Sequence, residues 1–237
     1  MIQQRIIKFC RLRLGMKPII DYAQSRRKLL GIAELPIRTV FDVGANVGRK
    51  ARQYRKLFPE AKIYCFEPVP ATYERLHQWT CRQNGAVSAF NVALGSKVGE
   101  TSIHWNQHHS GGSTVLGSSR NLDEDYLELP VRMETLDTVA RSLDVRDQIF
   151  VKIDVEGFDM EVIKGGADLL ARATAVIVEI ALPETPSDGP AFPQFVSVMT
   201  ELGYLYRGNL AHGFVDGTAR HVDAVFIKPP SARPAAA

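Results

Sequence analysis

The acids best placed for chemistry stand in the stretch VKIDVEGF, where Asp154 and Glu156 follow the apolar run Ile149, Phe150, Val151 and Ile153 and precede Gly157. Two carboxylates this close can relieve a hydroxyl of its proton, one as base and one as orienting partner. They can also share a divalent cation such as Mg2+, which lowers the pKa of an oxygen bound to it. Asp154 is the first choice for the base and Glu156 the second; a metal, if used, would take the same pair. The bland account makes Asp154 a helix cap and Lys152 the ion-pair partner of Glu156.

A second constellation lies in RTVFDVGANVG, where Asp42, Gly44, Asn46 and Gly48 mark a turn leaving an apolar run, and in AKIYCFEP, which ends on Glu67. Glycines let the backbone approach a ligand, and the helix that follows offers unpaired N–H groups to an anion. A dinucleotide fingerprint would need glycines at 44, 46 and 49, but Asn46 and Arg49 stand at two of these positions. An asparagine there obstructs a pyrophosphate and offers its amide to something smaller. S-adenosylmethionine (SAM) fits this description: its carboxylate suits the helix end, Asp42 its ammonium group, and Glu67 both ribose hydroxyls. Asn91, at the end of the next strand, is a candidate reader of the adenine edge, or an ordinary turn residue. An NAD-linked oxidoreductase is disfavoured by the missing glycine and the absence of a Tyr-x-x-x-Lys pair. A nucleic-acid base methylase would carry a Pro-Pro-aromatic element where this chain has Asp-Val-Glu-Gly.

The elements that must position these residues alternate as strands and helices. Strands are expected at 39–43, 62–66, 86–92, 149–153 and 175–180, with helices over 47–57, 71–84 and 134–143 and another starting at Phe158. This places Asp42, Glu67, Asn91, Asp154 and Glu179 at strand ends, where open parallel sheets bind ligands. Glu179 is either a further site acid or an ordinary strand-end residue. Residues 101–105 and 127–133 read as two extra strands around a polar loop at 106–125, expected to form a flexible cover. Its His108 and His109 are either substrate contacts or solvated. A loop with Pro183, Pro186, Pro190 and Pro193 should wall the acceptor pocket. A helix at 195–202, closing strands at 204–207 and 222–227 and an unstructured tail complete the chain.

With 237 residues, 45% of them hydrophobic, one α/β domain at 38–228 is expected, between a helical extension at 1–37 and a tail at 229–237. Eight of the 29 basic residues but one of the 26 acidic ones lie in residues 1–31, which leaves the body mildly acidic and argues against a nucleic-acid partner. The basic extension is either a helix packed on the body or an amphipathic element resting on an anionic membrane surface. Three cysteines (Cys10, Cys65, Cys81) without C-x-x-C spacing predict neither a disulfide framework nor a zinc cluster. With no signal-peptide pattern, a cytoplasmic location is expected.

Taken in order, VFDVGANVG, FEPVP, NVALG, ETLD and VKIDVEGFDMEVIKGG resemble the FkbM-type SAM-dependent methyltransferases over about residues 38–180. The resemblance implies a class I methyltransferase Rossmann-like fold: a seven-stranded, mostly parallel sheet with its last strand antiparallel and helices on both faces. It implies O-methylation of a hydroxyl on a sugar, a glycolipid or polysaccharide, or a secondary metabolite. Asp42, Gly44, Asn46, Gly48 and Glu67 match the family's cofactor motif, and Asp154 and Glu156 its acidic block. The alternative is a non-catalytic module that keeps the fold for binding or assembly.

Overall fold

The computed structural model describes residues 29–106, 114–115, 126–182 and 190–232. Most of the helical extension expected at 1–37, His108 and His109, most of the proline-rich loop and residues 233–237 lie outside the described residues. The elements run β1 (Thr39–Val43), α1 (Arg49–Leu57), β2 (Lys62–Phe66), α2 (Pro70–Thr80), β3 (Val87–Phe90), β4 (Ala93–Leu94), β5 (Gly99–Asn106), β6 (Thr114–Val115), β7 (Tyr126–Glu134), α3 (Leu136–Arg141), β8 (Ile149–Ile153), α4 (Asp159–Lys164), α5 (Ala167–Arg172), β9 (Ala175–Ala181), α6 (Phe192–Glu201), β10 (Leu205–Val215) and β11 (Thr218–Ile227).

β1 and β8 are buried at every position and pair in parallel at the centre of a seven-stranded sheet ordered β10-β11-β9-β8-β1-β2-β3. β11, the last strand, runs antiparallel to both of its neighbours, β9 and β10. Alternation along the strands feeds two cores. Phe41, Val43, Phe66, Val151 and Ile153 pack with side chains of α3, α4, α5 and α6 on one face. Val40, Ile63, Cys65 and Phe150 pack with α1 and Leu76 of α2 on the other. There Tyr54 meets Phe150 edge-on, with ring centroids 5.0 Å apart. Helices therefore cover both faces, as the resemblance implies.

Four departures have local causes. β4 leaves the path of β3 to join β7, β5 and β6 in a separate four-stranded sheet, which the two extra strands of the sequence did not reveal as a unit. The helix expected from Phe158 is split at Gly165 and Gly166, because a Cβ at 165 would lie 1.9 Å from the carbonyl oxygen of Gly95 and one at 166 would lie 2.7 Å from Leu136. The closing hairpin is longer than 204–207 and 222–227, because Asp216 (φ 50°) and Gly217 (φ 78°) make a two-residue left-handed turn matched to strand twist. Within the expected tail, Pro230–Ala232 form one 3-10 turn. Among the described residues no helix is long and apolar enough to cross a membrane.

Candidate active site

The turn after β1 is left-handed at Gly44 (φ 75°), Asn46 (φ 50°) and Gly48 (φ 80°), which delays the start of α1 to Arg49. Packing as well as ligand access requires these glycines. A Cβ at 44 would lie 1.8 Å from the carbonyl oxygen of Asp154, and one at 48 would lie 2.7 Å from Leu76. The N–H of Asp154 donates to the carbonyl of Val43 at 3.1 Å, so the glycine turn and the acidic block are held back to back across adjacent strands. Both constellations predicted from the sequence therefore share one locale.

Glu67, at the end of β2, is buried, and its two carboxylate oxygens accept from Asn46 N–H at 2.9 Å and Val69 N–H at 3.0 Å. Burial pushes its pKa up to about 7, although both N–H bonds favour the charge. The side chain thus sits where a ribose acceptor is expected and braces the turn as well. Of the two readings of Asn91, the contacts favour the turn residue: its amide N–H groups donate to the carbonyls of Glu67 at 2.9 Å and Pro68 at 2.8 Å and fix the β2 end.

Between these groups lies a cleft open to solvent at its mouth. Gly44, Asn46 and Glu67 supply its polar rim, Phe66, Val69, Val92, Leu94 and Ile103 its apolar walls, and Asp154, Val155 and Glu156 the far side. Ile103 belongs to β5, so the second sheet closes a wall that the sequence left open. Asp42, expected as the ammonium partner, is not among the residues that line the cleft. Alternation sends Val43 to the cleft and Asp42 to the opposite face, where it is fully buried beside Lys152.

Lys152 lies 2.5 Å from Oδ2 of Asp154 and 3.9 Å from Oδ1 of Asp42, the latter an ion pair too long for a hydrogen bond. Among the described residues neither oxygen of Asp42 meets a donor at full hydrogen-bond geometry, although the backbone N–H of Ala51 favours its charge. Burial raises the Asp42 pKa, and Lys152 opposes that rise. Burial likewise works against the lysine's charge, but Asp154 and Asp42 outweigh it and hold the Lys152 pKa raised. Lys152 pairs with Asp154, and the N-cap residue of α4, Phe158, makes no side-chain cap hydrogen bond.

The acidic block is shaped by a residue the sequence analysis missed. Asp159, buried, accepts from the N–H groups of Val155 and Gly157, both at 3.1 Å, and so holds a loop in which Glu156 is left-handed (φ 55°). Burial raises its pKa to about 7. The available signal was an acid three residues beyond Glu156 at a helix start. Oxygens of Asp154, Glu156 and Glu179 lie within 4.8 Å of one another, so Glu179 stands beside the acidic block. Burial, then Asp154 and Glu156, push the Glu179 pKa up to about 9. His221 Nε2 stands 3.8 Å from its carboxylate.

The remaining motifs are structural. Asp137 of ETLD accepts from the N–H groups of Asp168 at 3.1 Å and Leu169 at 2.8 Å, capping α5, while its own N–H donates to Gly165 at 3.0 Å.

The family model for the methyltransferase FkbM domain matches residues 42–206. A 2-O-methyltransferase, NoeI, from Sinorhizobium fredii is 25% identical over 193 residues, covering 75% of this chain and 76% of the relative. A hexuronic acid methyltransferase, AglP, from Haloferax volcanii is 28% identical over 168 residues, 71% of this chain and 66% of the relative. Among solved structures, magnesium protoporphyrin IX methyltransferase from Synechocystis PCC 6803 with bound SAM aligns with a TM-score of 0.49 at 12% identity, over 92% of this chain and 82% of that one. The matched segment begins at Asp42, beside the glycine turn, and runs through the acidic block to β10, and the chain belongs to the FkbM methyltransferase domain family of SAM-dependent enzymes.

Proposed function

We propose that this enzyme methylates a hydroxyl oxygen of a sugar or sugar-like acceptor, with Asp154 as the group that takes the hydroxyl proton. The observation that carries the reading is the cluster of Asp154, Glu156 and Glu179, two of which line the cleft beside the glycine turn. The names of two relatives, a 2-O-methyltransferase and a hexuronic acid methyltransferase, point to the same acceptor class.

The turn at Gly44–Gly48 and Glu67 would hold SAM, whose methyl group on a sulfonium sulfur is the electrophile supplied to the reaction. The protein's work is positioning and proton removal. Lys152 fixes Asp154 through one oxygen. Glu179, with its raised pKa, holds a proton at neutral pH and spares the cluster a third negative charge. Glu156, set by the Asp159-braced loop, orients the hydroxyl. The basic residues before position 29 would bring the enzyme to an anionic membrane surface where glycolipid acceptors reside.

The test is transfer of labelled methyl from SAM to a panel of uronic acid and neutral sugar glycosides, with NMR locating the new O-methyl group. Transfer to nitrogen, or SAM binding without any turnover, would reject the reading; the second result would favour the non-catalytic module. A second reading rests on the three clustered carboxylates, which as hard oxygen donors suit a cation such as Mg2+. Lys152 already neutralises one of them, which favours the metal-free account. Activity that survives EDTA would remove the cation.

A further inference from the structure

Val47 stands next to the cleft-lining Asn46 and, with Arg49, Arg52 and Arg75, lines a second, separate surface pocket. Arg49 and Arg52 come from the start of α1 and Arg75 from α2, and all three are exposed. Among the described residues none of them forms an ion pair with a carboxylate, whereas Arg141 pairs with Asp168 and Arg172 with Asp147. The first turn of α1 holds no acid and opens on Arg49, an arrangement that opposes the helix dipole. Arg52 is held over the ring of Trp79 at 4.2 Å from its centroid, which orients its planar fork. Three guanidinium groups thus line one pocket at a helix start that carries no acid, a concentration of positive charge that an anion would offset.

We propose that Arg49, Arg52 and Arg75 form a binding site for a phosphoryl group, beside but outside the cofactor cleft. Guanidinium forks match phosphate oxygens in pairs, and the helix start adds to the attraction. The phosphoryl group belongs either to a soluble phosphate ester, such as a phosphate-linked sugar, or to a lipid headgroup. The site is defined by anion binding alone and does not depend on which hydroxyl is methylated.

The test uses the full chain in a phosphate-free buffer of low ionic strength. Calorimetry with pyrophosphate is compared with co-sedimentation on vesicles of phosphatidylcholine, alone or mixed with phosphatidylglycerol. Saturable pyrophosphate binding that the pair Arg49→Gln and Arg75→Gln weakens about tenfold or more, with SAM affinity and melting temperature unchanged, is the expected result. Capture by the anionic vesicles only, lost in the same double variant, assigns the phosphoryl group to a lipid. Arg52→Lys, which keeps the charge and loses the fork, should weaken whichever binding is found. The proposal is overturned if neither probe binds, if binding survives the double variant, or if saturating SAM abolishes it, since the arginines would then belong to the cofactor site.

Discussion

The Nζ atom of Lys152 lies 2.5 Å from Oδ2 of Asp154, and the same ammonium is the nearest counter-charge to the fully buried Asp42. One cation therefore serves a carboxylate facing the cleft and another that never reaches it. Replacing Lys152 with Met is expected to cost about 3–5 kcal/mol of stability, since it strands Asp42 without compensation. Combining it with Asp42→Asn should recover most of that loss in chemical denaturation. Equal destabilisation in the single and double variants would show that Asp42 does not need the lysine.

Asp154→Asn keeps the size of the side chain but cannot take a proton. Turnover should fall by about a hundredfold or more while SAM affinity stays nearly unchanged. Glu179→Gln, which mimics the protonated form expected at neutral pH, should retain turnover within about threefold. Loss of activity in Glu179→Gln with activity retained in Asp154→Asn would exchange their roles.

Glu67→Ala should weaken SAM binding by about 1.5–3 kcal/mol, the scale of hydrogen bonds to a charged group. The folded, free protein holds this carboxyl at a pKa of about 7, against 4.5 for an unperturbed glutamate. Ribose hydroxyls donate best to the ionised form, so SAM affinity is expected to rise as pH increases through about 7 and then level off. The alanine variant should flatten that dependence. Between the two pKa values the folded chain holds more protons than the unfolded one, so burial of Glu67 weakens folding as pH rises through this window. A pH-independent calorimetric titration of the natural sequence would remove the ribose assignment.

Gly44→Ala should prevent the native fold or destabilise it by about 3 kcal/mol or more, because the new methyl would overlap the Asp154 carbonyl and the backbone is left-handed. A well-folded alanine variant, judged by its melting curve, would show that the turn and the acidic block can separate.

Residue type and spacing determined the alternation of strands and helices, the turn at Gly44–Gly48 and the strand-end acids. These depend on local propensity and on the period of apolar residues, and both are written along the chain. They identified Glu67, Asp154 and Glu156 as members of one site. Tertiary structure decided what each side chain meets. Asp42 and Val43 are adjacent, yet the pleat sends one to a buried lysine and the other to the cleft. Asn91 could have faced a ligand, but the carbonyls of Glu67 and Pro68 claim its amide. Ile103, Asp159 and Glu179 reach the site from segments distant from the turn, and only the closed sheet brings them there. The glycines at 165 and 166 read as part of one helix until Gly95 and Leu136 are seen against them. Periodicity encodes which face of an element is apolar, whereas the packing of one element on another selects which polar groups share a pocket.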